Sequence, residues 1–321
     1  MENIIKVNNL SKTYRYNNIF LNAVNDISFN IKKGESVGYI GKNGSGKTTT
    51  LRILSGIIHP SEGNVVVDGK VPYLERVNHV KNIGIMFGNK PQLWPELSPN
   101  ESFHILRDIY EVEKKLFKQN FEEIVFMLGL EELVNKPLRK MSLGQRIKCE
   151  IASIFLHNPS IIFLDEPTIG LDIETKEKIK KFIKFLNSEK NVTVLFTSHD
   201  LNDISDVCKR IIIIDSGKII EDNTTEGIVE KYGKNRIIEF KNLQHETKLE
   251  MISIVKKLDS YCKIIYEGKN ELHITIRNSK NTSLVLHDLL FDTNIEINFR
   301  ECSFEDSIYK IFTGKEKSEW I

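Results

Sequence analysis

Apolar and polar residues alternate in Ile4-Ile5-Lys6-Val7 and in Ile27-Ser28-Phe29-Asn30-Ile31, with Lys33-Gly34 following as a turn. A period of two is that of a strand burying one face, so residues 1 to about 34 are expected to be strands. Other apolar runs are unbroken: Ser36-Val37-Gly38-Tyr39-Ile40, Ile83 to Phe87, Ile161 to Leu164, Val192 to Phe196 and Ile211 to Ile214. Short runs apolar on both faces, the last three separated by helical stretches, predict a mostly parallel sheet covered on each side. A further strand, Asn64 to Asp68, ends at Gly69. From about Asn100 to Asn158 the period turns helical, with Phe103, Leu106, Ile109 and Tyr110 on one face and Phe121, Ile124, Val125 and Leu128 on another. After Tyr232-Gly233 the texture changes again, to strands near residues 237–240, 262–265, 273–276 and 295–297 and helices near 247–258 and 281–291. The expected organisation is an α/β domain over residues 1–232, with a helical insertion at about 89–158, and a small α+β domain over 233–321.

Between the strand ending at Ile40 and a helix containing Leu51 and Leu54 lies Gly41-Lys42-Asn43-Gly44-Ser45-Gly46-Lys47-Thr48. Strand, glycine-rich loop, Lys-Thr and helix make a phosphate-binding loop in its confirming context. Glycines let successive N–H groups turn toward a polyphosphate, and the helix N-terminus favours negative charge. Lys47 is expected on the β- and γ-phosphates and the Thr48 hydroxyl on Mg²⁺. Asp165-Glu166 ends the strand from Ile161, where an Asp completes a Mg²⁺ site and a second carboxylate can orient or deprotonate water. Ser142-Leu143-Gly144-Gln145 opens a helix, and two readings stand: a Ser142–Gln145 capping box, or a helix start offering N–H groups and a hydroxyl to a phosphate. His199 follows the strand ending at Phe196, at the end of an open α/β sheet where ligands bind.

Composition narrows this little. With 45 basic and 44 acidic side chains the net charge is +1, which gives no overall pull toward nucleic acid, and no such partner is expected. No apolar run approaches a membrane span and the N-terminal residues lack a secretory pattern, so a cytoplasmic location is expected. Cys149, Cys208, Cys262 and Cys302 show no metal-ligand spacing and read as small buried side chains.

The order of these motifs over residues 1 to about 232 resembles the ATP-binding cassette (ABC) ATPases. Gly41, Asn43, Gly44, Ser45, Gly46, Lys47, Thr48 and Thr49 then correspond to the Walker A loop, and Ile161 to Glu166 to the Walker B strand with its catalytic glutamate. Ile169-Gly170-Leu171-Asp172 corresponds to the D-loop, His199 to the switch histidine, and Tyr14 to the aromatic that stacks on adenine. The resemblance implies a phosphate-loop ATPase fold, a mostly parallel core with an antiparallel β subdomain and a helical subdomain. It also implies ATP and Mg²⁺ as cofactors, and two cassettes, as a homodimer or a paired cassette, enclosing two nucleotides. Each ATP would meet Lys47, Thr48 and Asp165 of one chain and Ser142, Gly144 and Gln145 of the other, with Asp172 linking the sites and Glu166 and His199 serving hydrolysis. Two positions depart from the family pattern. Leu143 stands for the first glycine of the signature motif, and the Q-loop glutamine is replaced by Gly88 or Asn89, of which only Asn89 offers an oxygen near Mg²⁺. Phe-Gly-x-x-x-Gln-Leu-Trp at 87–94 and the tail Ser303-Phe304-Glu305-Asp306-Ser307-Ile308 resemble a bacterial branch of exporter ATPases that work with separate membrane permeases on the inner face of the cell membrane. The competing classes are a ribosome- or nucleic-acid-associated ABC ATPase and a regulatory ATPase without transport.

Overall fold

The unbroken apolar runs form the interior of a six-stranded sheet in the computed structural model. Its order is β5 (Ile83–Phe87), β6 (Ile161–Asp165), β7 (Thr193–Thr197), β3 (Ser36–Ile40), β8 (Arg210–Asp215) and β9 (Lys218–Thr224). Every residue of β3, β6 and β7 is buried, and the ladders joining β5, β6, β7, β3 and β8 are all parallel. Strands apolar on both faces need a cover on each side, which explains why these runs do not alternate. The structure describes residues 2–17, 19–88, 90–233, 236–242, 248–249, 251–253, 255, 263–268, 270–276 and 296–313.

The alternating segments build a separate antiparallel sheet ordered β2-β1-β4, where β1 is Asn3–Tyr16, β2 is Ile19–Lys32 and β4 is Glu62–Val67. Both long strands exceed the short runs expected, because several register shifts along the β1–β2 ladder let pairing continue past Leu10 to Tyr16. One core joins this sheet to the parallel one: Ile5, Val7, Ile27 and Ile31 share it with Tyr39, Leu51, Leu54 and Phe163. The helix α1 (Lys47–Leu54) contributes Leu51, Ile53 and Leu54 to that core and packs against β2, β4 and β6. A short α2 (Arg76–Val80) precedes β5.

The insertion is helical, as its period predicts: α3 (Pro99–Ile109), α4 (Lys114–Leu128) and α5 (Leu143–Ser153). Ser98 and Glu101 close a capping box at the start of α3, and Gly129 ends α4 in the left-handed conformation. Ile109 differs from expectation. It is 60% exposed, because six residues beyond the buried Phe103 a helix has turned about 240°. Two more helices, α6 (Ile173–Ser188) and α7 (Leu201–Val207), flank β7.

Met1–Asn223 packs as one compact unit and Thr224–Ile321 as another. The sequence texture changes after Tyr232, whereas α8 (Thr225–Tyr232) packs on α9 (Phe304–Thr313) and so belongs with the second unit. That unit contains an antiparallel sheet ordered β11-β12-β10-β13, from β10 (Arg236–Lys241), β11 (Lys263–Glu267), β12 (Glu271–Ile276) and β13 (Glu296–Glu301). Ile238, Phe240, Met251, Val255, Leu272 and Ile274 form its core. The expected helix at 281–291 and Cys262 lie outside the described residues. Cys149, Cys208 and Cys302 are buried, and burial pushes the Cys149 and Cys208 thiols up to about 12.

Candidate functional site

Parallel pairing brings the carboxyl ends of β5, β6, β7 and β3 side by side. Phe87 is opposite Asp165, and Asp165 is opposite Thr197. Residues emerging from these ends therefore converge although they are far apart in sequence, as ligand sites in open parallel sheets do.

The chain leaves β3 at Gly41 and wraps through Gly46 into α1. Gly46 caps the helix at φ 110°, and a Cβ there would lie 2.4 Å from the Ala23 carbonyl oxygen of β2. Only glycine meets both demands. At Gly41 a Cβ would lie 2.3 Å from the Ile214 carbonyl oxygen, whereas at Gly44 it would meet nothing within 4 Å. Asn43 and Gly44 are exposed at the tip, Ser45 is buried with its Oγ unpartnered, and Thr49 is half-buried. The N-cap residue offers α1 no side-chain hydrogen bond and its first turn carries no acidic residue, which leaves this helix start uncapped.

Lys47 is 6% exposed, and its ammonium donates to the carbonyl oxygens of Gly41 at 2.5 Å and Lys42 at 3.1 Å rather than to a carboxylate. Burial holds its pKa below the usual lysine range, while the fields of Glu166 and Asp165 oppose that. A buried cation beside an uncapped helix start fits a polyphosphate. Next to it the Thr48 hydroxyl donates to Asp165 Oδ2 at 2.8 Å. A hydroxyl and a carboxylate oxygen held this close are the hard oxygen donors that Mg²⁺ takes, so the residues present fit that ion.

Thr197 was not singled out by its sequence, and it organises the acidic pair. Its hydroxyl donates to Asp165 Oδ1 at 2.8 Å and accepts from the Glu166 N–H at 3.0 Å, and its carbonyl lies 3.1 Å from the same N–H. Glu166 needs this hold, because it sits at φ 56°, a left-handed conformation unusual for a residue other than glycine. So placed, its Oε1 lies 2.7 Å from His199 Nε2. The only sequence signal for Thr197 is its place two residues before His199.

A second group gathers at the starts of α5 and α6. The capping box of Ser142 and Gln145 is formed: Gln145 N donates to Ser142 Oγ at 3.3 Å and Ser142 N to Gln145 Oε1 at 3.0 Å. Asp172 caps α6 by accepting from the Thr175 N–H at 2.9 Å and its hydroxyl at 2.8 Å, which holds its carboxyl below the usual range. The two helix starts touch, since a Cβ on Gly144 would lie 3.2 Å from Thr175 Oγ1. Leu143 is 38% exposed and its Cδ2 lies 3.5 Å from where a Cβ on Gly170 would be. Ser142 is exposed while Gly144 and Gln145 are half-buried.

Gly88 directs its N–H to the Asp165 carbonyl at 2.8 Å, with φ 49°, and Asn89 lies outside the described residues. Beyond it, the buried Glu150 of α5 accepts from the N–H groups of Gln92 at 3.0 Å and Leu93 at 3.2 Å, tying the chain after β5 to the helix that Ser142 begins. Tyr14 is 37% exposed on β1, with the Lys12 ammonium 5.3 Å from its ring and Leu21 as its cross-strand neighbour. It belongs to the hairpin whose Ala23 carbonyl approaches Gly46.

The profile of the family described as "ABC transporter" matches residues 24–169. The ABC transporter ATP-binding protein NatA of Bacillus subtilis is 32% identical over 227 residues, covering 71% of this chain and 92% of NatA. This chain belongs to the ATP-binding proteins of ABC transporters. The bacitracin transport ATP-binding protein BcrA of Bacillus licheniformis is 28% identical over 317 residues, 98% of this chain and 99% of BcrA. Among solved structures, the dimeric post-hydrolysis state of the ATP-binding cassette MJ0796 bound to ADP and Pi superposes with a TM-score of 0.62 at 31% identity, covering 68% of this chain and 98% of that one. The fold is that of the ABC cassette, and the chain is an ATPase whose cofactors are ATP and Mg²⁺. Among the described residues no helix is long and apolar enough to cross a membrane.

Proposed function

We propose that this protein is the motor subunit of an ABC exporter, working as a nucleotide-sandwich dimer with a separate membrane permease. The observation that carries the transport reading is the end-to-end likeness to BcrA, whose name gives bacitracin transport and whose 99% coverage takes in the second unit. Export is supported by the 31% identity over 219 residues to the SkfA peptide export ATP-binding protein SkfE of Bacillus subtilis. The division of the site supports the sandwich. Lys47, Thr48, Asp165, Glu166 and His199 line one face, while Ser142, Gly144 and Asp172 stand together at two other helix starts, available to a second copy. The MJ0796 cassette is dimeric. From Thr224 onward the chain is an accessory domain to the ATPase unit.

In this reading Lys47 and the N–H groups at the start of α1 hold the phosphates, and Tyr14 stacks on the base. Thr48 and Asp165 hold Mg²⁺, which when bound withdraws charge from phosphate oxygens. Asn89, outside the described residues, would add an amide oxygen. Glu166 takes a proton from the attacking water, and His199 keeps its carboxylate aimed. Nucleotide binding selects the closed pair and hydrolysis releases it. The complex sits on the cytoplasmic face of the membrane.

The hydrolytic reading is tested with Glu166→Gln. It is expected to bind ATP, to lose about 10²-fold or more in turnover, and to accumulate as a dimer on size exclusion. Normal turnover in that variant would remove Glu166 as the base. Affinity purification from host membranes tests the transport reading. Recovery of a polytopic membrane protein is expected, and recovery of ribosomes or soluble partners alone would overturn the exporter reading while leaving the ATPase intact.

A further inference from the structure

A network of partly buried charge lies between α6 and α7, outside the groups that face the nucleotide. Lys176 Nζ donates to Asp200 Oδ2 at 2.9 Å and lies 3.8 Å from Asp203 Oδ2. Asp203 is 2% exposed, and its Oδ1 is 3.4 Å from Lys180 Nζ. Lys180 in turn is paired with Glu177 at 2.5 Å and Asp206 at 2.6 Å. The Lys176 ammonium therefore has Asp200 as its hydrogen-bond partner. The buried Asp203 carboxylate is near enough to attract it, but its Oδ2 makes no hydrogen bond among the described residues.

The two ends of the Lys176–Asp200 pair reach different parts of the site. Lys176 lies in the first turn of α6 and its N–H donates to the Asp172 carbonyl at 3.0 Å. Asp200 directly follows His199, whose Nε2 is 2.7 Å from Glu166. Asp200 also caps α7, with its Oδ1 accepting from the Asn202 N–H at 3.1 Å, and its own N–H donates to Ser198 Oγ at 3.0 Å. One side chain thus spans from the Asp172 loop to the peptide that carries the histidine. The side chains of Lys176 and Asp200 are 25% and 38% exposed, and ion pairs that open to solvent add little to overall stability. What such a directional bond determines is geometry.

We propose that Lys176 is a positioning residue for ATP hydrolysis: its ion pair with Asp200 sets the aim of His199 on Glu166 and ties that aim to the placement of the Asp172 loop. This rests on Glu166 and His199 being the hydrolytic pair. A seam between two cassettes that displaces Asp172 would then be felt at His199 through one side chain.

Steady-state ATPase kinetics of the full chain test this. Lys176→Met is expected to lower kcat about tenfold while KM for ATP stays within about twofold, since misaimed catalytic groups cost rate rather than binding. Lys176→Arg should restore most of the loss. Asp200→Asn keeps an oxygen for the α7 cap but loses the charge, and should lower kcat similarly. The double variant should be no slower than the slower single one, because both remove the same bond. Lys178→Met, which breaks a pair with Glu174 on the exposed side of α6, should leave kinetics unchanged. Wild-type kcat in Lys176→Met or Asp200→Asn, a loss confined to KM, or additive losses in the double variant would each overturn the proposal. Asp200→Asn alone decides the matter if Lys176→Met does not fold. Turnover retained by Glu166→Gln removes the hydrolytic pair itself, whereas an inactive Glu166→Gln beside a fully active Lys176→Met removes only the role of Lys176.

Discussion

Replacing Thr197 by Val removes one oxygen from the centre of the site while nearly preserving shape. Thr197 is fully buried, and its hydroxyl serves two neighbours, donating to Asp165 Oδ1 and accepting from the Glu166 N–H. The second loss is softened, because the same N–H also lies 3.1 Å from the Thr197 carbonyl. The first is not, because Asp165 is 6% exposed and keeps only its bond from Thr48 among those described at its carboxylate. A hydrogen bond to a charged group is worth about 1.5–3 kcal/mol, so a destabilisation of about 2 kcal/mol is expected. For a unit of this size that lowers the melting temperature by roughly 4–8 °C. Thermal unfolding of nucleotide-free protein followed by circular dichroism measures it, with Thr197→Ser as the variant that keeps the hydroxyl. The Val variant should also need more Mg²⁺ for half-maximal turnover, since Asp165 loses the group that fixes its rotamer. A Thr197→Val protein melting within about 1 °C of wild type would refute the reasoning, because the buried carboxylate would then be indifferent to its neighbour.

Other substitutions probe the loop and the pH response. Gly46→Ala forces a Cβ to within 2.4 Å of a backbone oxygen at φ 110°, so a loss of about 2–3 kcal/mol in denaturant unfolding and of fluorescent-nucleotide binding is expected, with Gly44→Ala milder in packing. His157 stacks on Tyr110 at 4.0 Å and bonds the Ile83 carbonyl, and burial lowers its pKa from 6.5 to about 4. The unfolded chain therefore takes up the proton first as pH falls. Stability is full above about pH 6.5 and declines toward pH 4, by about 2 kcal/mol at pH 5, a decline that urea titrations of His157→Gln should show flattened.

The folded chain explains why some of the site was legible and some was not. Gly41 to Thr48, Asp165-Glu166 and His199 could be read from the sequence because each belongs to a local strand-to-loop or loop-to-helix segment whose pattern carries its own signal. The Ser142–Gln145 box is equally local, and the structure shows the capping half of that motif to be satisfied within the chain. The continuous apolar strands and the helical insertion were legible for the same reason, since periodicity reports which faces are buried. Tertiary structure alone decided what depends on register and on neighbours distant in sequence. Thr197 meets Asp165 because β6 and β7 pair in parallel with those two residues opposite, and a shift of one residue would turn its hydroxyl to the other face of the sheet. Lys176 meets Asp200 because α6 and α7 pack side by side, and nothing in either segment's own pattern announces the other. Ile109 is exposed because the buried arc of α3 is narrower than its apolar composition. Sequence determines directly what the chain does within a few residues, whereas contacts between remote segments exist only once packing has chosen one alignment among many.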